Sequence, residues 1–444
     1  MKASSLKYGV LTFTLSLLTI VLALVPFHAF LTVWGSTFLD HYTALRLWKE
    51  VLMAIAGIGV LYLVLFDRKV RFHTMKRKLT WLIVAYLIVQ AVWALVAMQA
   101  DAVTPKAAAY GVLVDSRFLV FFLLAWAIAV RTPRLESRWP KLLLGPALVV
   151  VLFGLMQVFL LPPDFLRHFG YGPDTIGPTA TINHNENFYR YFSTLRGANP
   201  LGAYLVLPIS ALMVLLVRFP HSWNWIKAIL LIACIAMLGF SFSRSAWIGA
   251  VLATITIFVL SISQAWWHRF RVPAIALVAV VVLGIAGAGI ALRNNLHFQN
   301  AFFHTQENSA VKTTSNAAHV DALVDGSKDV FANPIGHGPG SAGPASVYNN
   351  SGRIAENYYV QIGQETGLIG LALFCSIVAG VAYILWTRRS APLAMTLLAA
   401  LVGICFINLL SHAWTDDTLA YLWWGLAGIA IGTPLTKRDA DQGR

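Results

Sequence analysis

Long apolar runs separated by short polar segments dominate the chain. Twelve runs of mainly apolar residues recur, and each is long enough as a helix to cross a hydrocarbon core about 30 Å thick. Runs this continuous indicate helices, because lipid demands that the backbone satisfies its own hydrogen bonds. We therefore predict an all-α polytopic membrane protein, a single domain over residues 1–444. The predicted spans are 8–30, 49–66, 79–98, 112–130, 142–161, 201–217, 227–242, 246–263, 272–292, 366–386, 391–411 and 418–433.

Two polar segments are much longer than the other connections, at 162–200 and 293–365. Within the second, Val320, Leu323, Val324 and Phe331 recur at helical spacing, which predicts a short amphipathic helix on the membrane surface. The following run, Asn333 to Pro344, holds four glycines and three prolines and is predicted to be non-helical. Polar connections this long are usually functional when they are ordered. We expect the two loops to form the cap of an active site.

The charge distribution indicates orientation. Charged residues make up only 12% of the chain, yet the net charge is +14. With the N-terminus in the cytoplasm, 21 of the 33 Lys and Arg fall on the inner side, as the positive-inside rule requires. Both long loops then face the periplasm or cell exterior. We interpret the positive charge as the signal that orients the chain among membrane lipids. No nucleic-acid partner is predicted. All three cysteines fall inside predicted spans, so no disulfide framework is expected.

His337 is the first candidate for chemistry. It lies in Gly336-His337-Gly338-Pro339-Gly340, where Gly338 and Gly340 would let the backbone approach a ligand closely. A neutral imidazole can serve as general base for a hydroxyl nucleophile. The alternative is that His337 is one of several outer-loop histidines without a special role.

Arginines on the outer side are the second set of candidates. Arg244 lies in a tight hairpin between two apolar helices, in the run Ser241 to Trp247. Guanidinium groups bind phosphate oxygens in bidentate fashion. Arg196, and with weaker arguments Arg190 and Arg353, are outer-loop arginines that oppose the inside-positive trend. Contact with lipid headgroups is the alternative for each of them, and capping of a helix C-terminus is a further alternative for Arg244.

No metal site or nucleotide site is predicted. Asp321, Asp325 and Asp329 share one face of the surface helix, but a solvated polar face explains them better than a cation, and Gly326 is expected to interrupt the helix there. Asp416 and Asp417 lie in a short outer hairpin and are likewise read as solvated. A Walker-type phosphate loop is absent from the sequence, so the expected cofactor is none.

Together these features resemble the O-antigen ligase and polymerase superfamily. The resemblance rests on the Ser243-Arg244-Ser245 hairpin, the long outer loop, and the ending that runs from Asn357 to Gly370 with Gln364-Glu365-Thr366-Gly367-Leu368 inside it. It covers roughly residues 190–375. Two positions depart from the pattern: Glu356 precedes Asn357 where relatives often have His, and Asn316 and His319 stand where relatives often carry an arginine.

The resemblance implies a GT-C-like membrane glycosyltransferase in the inner membrane, with its active site facing the periplasm. Such enzymes transfer a glycan from undecaprenyl pyrophosphate, in the ligase branch to the lipid A-core oligosaccharide. Carried to this chain, it makes His337 the base and Arg196 and Arg244 the phosphate clamps. Arg190, Arg353, Asn357, Gly338 and Gly340 are predicted to bind substrate. An O-antigen polymerase, a protein O-oligosaccharyltransferase and a polysaccharide transporter are the alternatives; charges confined to helix ends and outer loops count against transport.

Overall fold

A computed structural model describes residues 2–182, 185–219, 224–261, 315–350, 352–353 and 355–434. Most of it is helical, as the apolar runs predict. The predicted span 272–292 and the first part of the 293–365 loop, through residue 314, lie outside the described residues. The helices are α1 Lys2–Leu24, α2 His28–Leu39, α3 Tyr42–Leu45, α4 Trp48–Phe66, α5 Arg68–Met75, α6 Lys78–Gln99, α7 Pro105–Ala129, α8 Arg134–Ser137, α9 Trp139–Phe159, α10 Ala198–Arg218, α11 Asn224–Phe240, α12 Arg244–Ser261, α13 Ser315–Ala332, α14 Tyr358–Thr387, α15 Pro392–Asn408 and α16 Asp417–Gly432.

Eight segments among the described residues are long and apolar enough to cross a membrane, and α11 and α15 are shorter apolar helices. The multi-pass helical architecture is therefore confirmed, whereas the number of twelve spans stays a prediction. Pro26 divides the first segment, because a short 3-10 turn, Val25–Phe27, separates α1 from α2. Two further 3-10 turns, Phe165–Phe169 and Ala413–Thr415, lie in connections between the long helices.

Helices α7 and α16 form the centre of the bundle. Large aromatic side chains fill their contact: Trp414, Trp423 and Trp424 are fully buried, as are Phe118 and Phe122. The outward faces of α4, α6 and α11 instead carry exposed Ile, Leu and Val side chains. Apolar side chains on the outside of a long-helix bundle are what lipid contact requires. The core therefore lies between α7 and α16, and the other helices surround it.

Side-chain contacts between helix ends identify one end of the bundle. At one end Arg131, just after α7, binds Asp67, just after α4, through two hydrogen bonds of 2.7 and 2.8 Å. At the same end Arg388 donates to the carbonyls of Ala430 and Thr433 at 2.7 Å. The opposite end carries the two long loops, and we call it the loop end.

The loop predicted at 162–200 is not wholly irregular. It contains a two-stranded antiparallel sheet, β1 Ala180–Ile182 with β2 Asn185–Arg190. The β-branched and aromatic residues Thr181, Ile182 and Tyr189 favour this pairing. Arg190 is the last residue of β2 and lies next to the hairpin between α11 and α12.

The loop predicted at 293–365 is shorter than expected at its C-terminal end. Helix α14 begins at Tyr358 because Asn357 caps it, so residues 358–365 are helical. Helix α13 continues through Gly326, contrary to the expected interruption: a Cβ there would lie 2.7 Å from Val360 Cγ1, so this glycine permits close packing of α13 on α14. The run after α13 is non-helical as predicted up to Ala342, after which Gly343–Tyr348 forms a 3-10 turn.

We predict that Gly111→Ala will displace the loop that carries His337. A Cβ at Gly111 would lie 2.3 Å from the backbone nitrogen of Gly340, and overpacking of this kind costs about 1–3 kcal/mol. The measurement is the thermal midpoint and activity of purified protein. Gly145→Ala in α9 is the matched control, because nothing lies within 4 Å of a Cβ there. Equal behaviour of the two variants would contradict the prediction.

Candidate active site

A break inside α14 holds the glycine-rich loop, residues 333–342, in place. Gly367 has φ 65° and ψ −167°, a conformation that only glycine adopts readily. The carbonyls of Gln364 and Glu365 therefore accept from the backbone N–H groups of His337, at 2.7 Å, and Gly338, at 2.8 Å. The sequence Gln364 to Gly367 thus fixes the backbone of His337 from outside the loop.

Gly338 and Gly340 bring the loop against α6 and α7. A Cβ at Gly338 would lie 2.2 Å from Ala97 Cβ, and one at Gly340 would lie 2.2 Å from Ala107 O. Both glycines have positive φ. Close packing accounts for their presence, and the substrate-binding role predicted for them stays a prediction.

The His337 side chain is paired with Asp329 of α13. Nε2 of His337 lies 2.9 Å from Asp329 Oδ1. The other oxygen, Oδ2, accepts from Gln364 Nε2 at 2.9 Å and lies 3.5 Å from Arg353 Nε. One carboxylate therefore joins α13, the glycine loop, Arg353 and α14. The sequence prediction placed Asp329 on a solvated face and missed this role.

The charge on Asp329 determines the tautomer of neutral His337. Partial burial tends to raise the pKa of Asp329, but hydrogen bonds from His337, Gln364 and Asn333 outweigh burial and the pKa is lowered. An ionised carboxylate only accepts hydrogen bonds. When His337 is neutral its proton must therefore be on Nε2, which leaves the Nδ1 lone pair as the basic position.

Asn357 has a structural role at the start of α14. Its Oδ1 accepts from the backbone of Tyr359 at 2.8 Å and of Val360 at 3.1 Å, and its Nδ2 donates to Leu409 O at 3.0 Å. This is a helix N-cap. The predicted substrate contact stays a prediction.

A buried carboxyl pair lies beneath the glycine loop. Glu365 Oε1 accepts from the backbone of Gly340 at 2.9 Å, and its carboxyl group contacts that of Asp115 in α7. Tyr358 donates to Asp115 at 3.0 Å. Both carboxyl groups are fully buried. Sequence reasoning missed Asp115 because it occurs singly inside an apolar run.

Arg190 and Arg244 meet at the hairpin between α11 and α12. Arg190 donates to Ser241 O at 3.0 Å, to Phe242 O at 3.4 Å and to the side chain of Asn199. Burial, with the neighbouring guanidinium of Arg244, lowers the pKa of Arg190 to about 10. The structure thus places two like charges together and gives Arg190 neutral hydrogen-bond partners.

Arg196 lies in a different group of charges. Its Nε is 3.1 Å from Asp416 Oδ2, and Asp416 also caps α16. The interpretation of Asp416 and Asp417 as solvated residues is therefore wrong. They lie at the start of the central helix, where both are buried.

Asp417 joins a buried cluster that the sequence prediction did not foresee. It is 3.5 Å from Lys49 Nζ and 3.1 Å from His28 Nε2, and it also pairs with Arg117. Glu50 pairs with Lys49 at 3.0 Å and with Arg117 at 3.1 Å. Arg117 lies well inside α7, so the prediction that charges stay at helix ends is wrong; mutual pairing makes their burial tolerable.

The structure thus sorts the predicted residues into three groups. His337 and Arg353 share Asp329, Arg190 and Arg244 share the hairpin, and Arg196 binds Asp416. Within the described ranges, no three His, Cys, Asp or Glu side chains are arranged to hold a metal ion. Asp325 instead pairs with Lys328 at 3.4 Å on the exposed surface.

Comparison with known proteins bears on one part of the chain. Residues 228–375 match the family model of O-antigen ligases. This confirms the resemblance over about one third of the chain, the part that contains Arg244, Asp329, His337 and Arg353. Arg190 and Arg196 lie outside the match. None of the curated proteins compared matches the chain. The chain is accordingly similar to ligase-type membrane enzymes.

Proposed function

We propose that the protein is an O-antigen ligase of the bacterial inner membrane, with its loop end facing the periplasm. It would transfer a glycan from undecaprenyl pyrophosphate to the lipid A-core oligosaccharide, with inversion and without a cofactor. The observation that carries this proposal is the Asp329–His337 pair, which lies inside the segment that matches the O-antigen ligase family.

In this mechanism His337 is the general base. Its Nδ1 takes the proton of an acceptor hydroxyl as that oxygen attacks the anomeric carbon from the face opposite the phosphate. The bond between the anomeric carbon and the phosphate oxygen breaks, and undecaprenyl pyrophosphate leaves with the electron pair. Asp329 holds the imidazole and stabilises the positive charge that it gains, the role that a carboxylate has beside a catalytic histidine.

Arg190 and Arg244 are proposed to bind the pyrophosphate. Two guanidinium groups repel one another, and an anion placed between them removes that cost. The N-terminus of α12, which begins at Arg244, adds backbone N–H groups that favour an anion. Arg196 is the third proposed contact, with its guanidinium held at Nε by Asp416.

An apolar pocket behind the hairpin suits the lipid tail of the donor. It has a volume of about 430 Å³ and is lined by Ile209 of α10, Ile235 and Leu238 of α11, and Trp247 and Val251 of α12. Trp247 is the fourth residue of the helix that Arg244 begins. A polyprenyl chain in this pocket would therefore leave its pyrophosphate next to Arg244.

Two of the alternative functions use the same donor, and the third, a transporter, uses no donor. A polymerase would extend a lipid-linked chain, and a protein O-oligosaccharyltransferase would modify a protein. The buried charges of α4, α7 and α16 remove one argument against a transporter, but their mutual pairing is that of a structural cluster.

Gel analysis of lipopolysaccharide after deletion of the gene tests the proposal. A ligase predicts loss of the O-antigen ladder while lipid-linked O-antigen accumulates. A core that carries a single repeat would indicate a polymerase, and an unchanged ladder would exclude both functions.

We predict that His337→Ala and Asp329→Asn will each reduce the transfer rate while donor affinity stays within about twofold. Loss of a positioned base costs about 10²–10⁴-fold, and an amide in place of the Asp329 carboxylate would no longer impose the productive tautomer. The measurements are transfer rate and donor affinity on the same preparations. Asp325→Asn, one turn earlier on the exposed face, is the control. Equal loss of rate and donor affinity would show that His337 is not the base.

We also predict that Arg244→Lys will be nearly as inactive as Arg244→Ala. A single ammonium group cannot reproduce bidentate binding of a pyrophosphate. Donor affinity of folded protein is the measurement, with Arg167→Lys in the outer loop as the control, since the exposed Arg167 side chain pairs with the exposed Asp164. Near-normal donor affinity for both Arg244 variants would remove this residue from the site.

A further inference from the structure

Three tyrosine side chains and two positively charged side chains lie together along one side of α7. The rings of Tyr110 and Tyr348 meet edge-on with centroids 5.4 Å apart, and Lys106, one turn earlier, lies 4.2 Å from the centroid of Tyr348. Tyr110 Oη accepts from Arg46 Nη2 at 2.8 Å. The Arg46 guanidinium lies 5.8 Å from the ring centroid of Tyr42. We call these five residues the tyrosine patch.

The patch lies between two of the groups described above. Tyr348 ends the 3-10 turn that follows the glycine loop, and Tyr42 interacts electrostatically with Arg196. Gly111, next to Tyr110, contacts Gly340. Since successive helix residues point about 100° apart, the patch occupies the face of α7 beside the one that carries the glycine loop. A ligand on the patch would therefore lie beside the loop of His337.

Among the described residues, no direct ion pair neutralises either cation of the patch, Arg46 or Lys106. Within the part of the chain that the structure describes, no carboxylate lies within 4.0 Å of Arg46 or Lys106. Asp417 acts on Arg46 only electrostatically, and it is already paired with Arg117 and Lys49. Lys106 is exposed and Arg46 is half-buried. Two such cations favour an anionic ligand.

The aromatic rings narrow the class of ligand. Tyr42, Tyr110 and Tyr348 are half-buried, so part of each side chain remains accessible. Tyrosine offers an apolar ring face together with a hydroxyl group, and a sugar offers C–H faces together with hydroxyl groups. Guanidinium and ammonium groups would bind a phosphate on such a sugar.

We propose that the tyrosine patch is a binding subsite for the acceptor, an oligosaccharide that bears an anionic group such as phosphate. The proposal rests on the proposed function and extends it by giving the acceptor a position on α7. There, the saccharide can present a hydroxyl group to His337 while its negative charge lies between Arg46 and Lys106.

Calorimetric binding to the purified full-length chain tests the patch directly. The probes are phosphorylated core oligosaccharide freed of lipid, and the same material after phosphatase treatment. Arg46→Gln, Lys106→Gln and Tyr348→Leu should each weaken binding of the phosphorylated probe about tenfold, the effect of losing roughly 1.4 kcal/mol. The two charge variants should affect the dephosphorylated probe less. Lys141→Gln and Tyr383→Leu, which lie away from the patch, are the matched controls.

Transfer kinetics separate failure of the patch from failure of the proposed function. The patch variants should raise the acceptor KM while kcat and the donor KM stay within about twofold. The patch proposal is overturned if the patch variants bind the probe as tightly as the wild-type chain does. It is also overturned if the control variants lose the same affinity, or if the loss in a patch variant accompanies a lower thermal midpoint of that variant. If the wild-type chain binds the probe but transfers no glycan, the proposed function fails, and the patch stands as a binding site for an anionic oligosaccharide that is not an acceptor. If transfer by the patch variants keeps a normal acceptor KM, the patch fails and the function stands.

Discussion

The candidate site depends on one interruption of helix hydrogen bonding, at Gly367 in α14. An uninterrupted helix would use the carbonyls of Gln364 and Glu365 internally. The break releases both of them to accept from His337 and Gly338, while the side chain of Gln364 binds Asp329. Residues Gln364 and Glu365 of α14 thereby hold the backbone of the candidate base, His337, and Gln364 also binds one oxygen of its carboxylate partner, Asp329. A side chain at position 367 would be strained at this φ and would collide with Pro334 O.

The arginines differ in the groups that hold them, and the proposed function draws on that difference for Arg190. The charges of Arg117 and Arg131 are paired with carboxylates inside the protein. Arg190 is held by neutral acceptors and lies beside another guanidinium. Among the described residues Arg190 donates its hydrogen bonds to neutral groups, and a partly buried guanidinium in that setting favours an anion. In the proposed function that anion is the pyrophosphate of the donor.

Much of the fold could be predicted from the sequence, because lipid imposes long apolar helices and the glycines and prolines of residues 333–342 exclude a helix. The motif around Arg244 and the ending near Glu365 also identified the segment that matches O-antigen ligases. Pairings across the bundle could not be predicted. Asp329 looks solvated by its spacing from Asp321 and Asp325, and only the position of the glycine loop on α14 brings it to His337.

The same reasoning explains why the buried charges escaped prediction. Asp115 and Arg117 lie two residues apart in α7, so they point to different sides of the helix. Asp115 meets Tyr358 beneath the glycine loop, whereas Arg117 meets Glu50 and Asp417. One helix therefore anchors the loop of His337 on one face and, through Asp417, the start of α16 on another. Asp416, the next residue, holds Arg196. Because α7 is largely buried in the core, these contacts connect both the loop of His337 and the carboxylate partner of Arg196 to the body of the bundle.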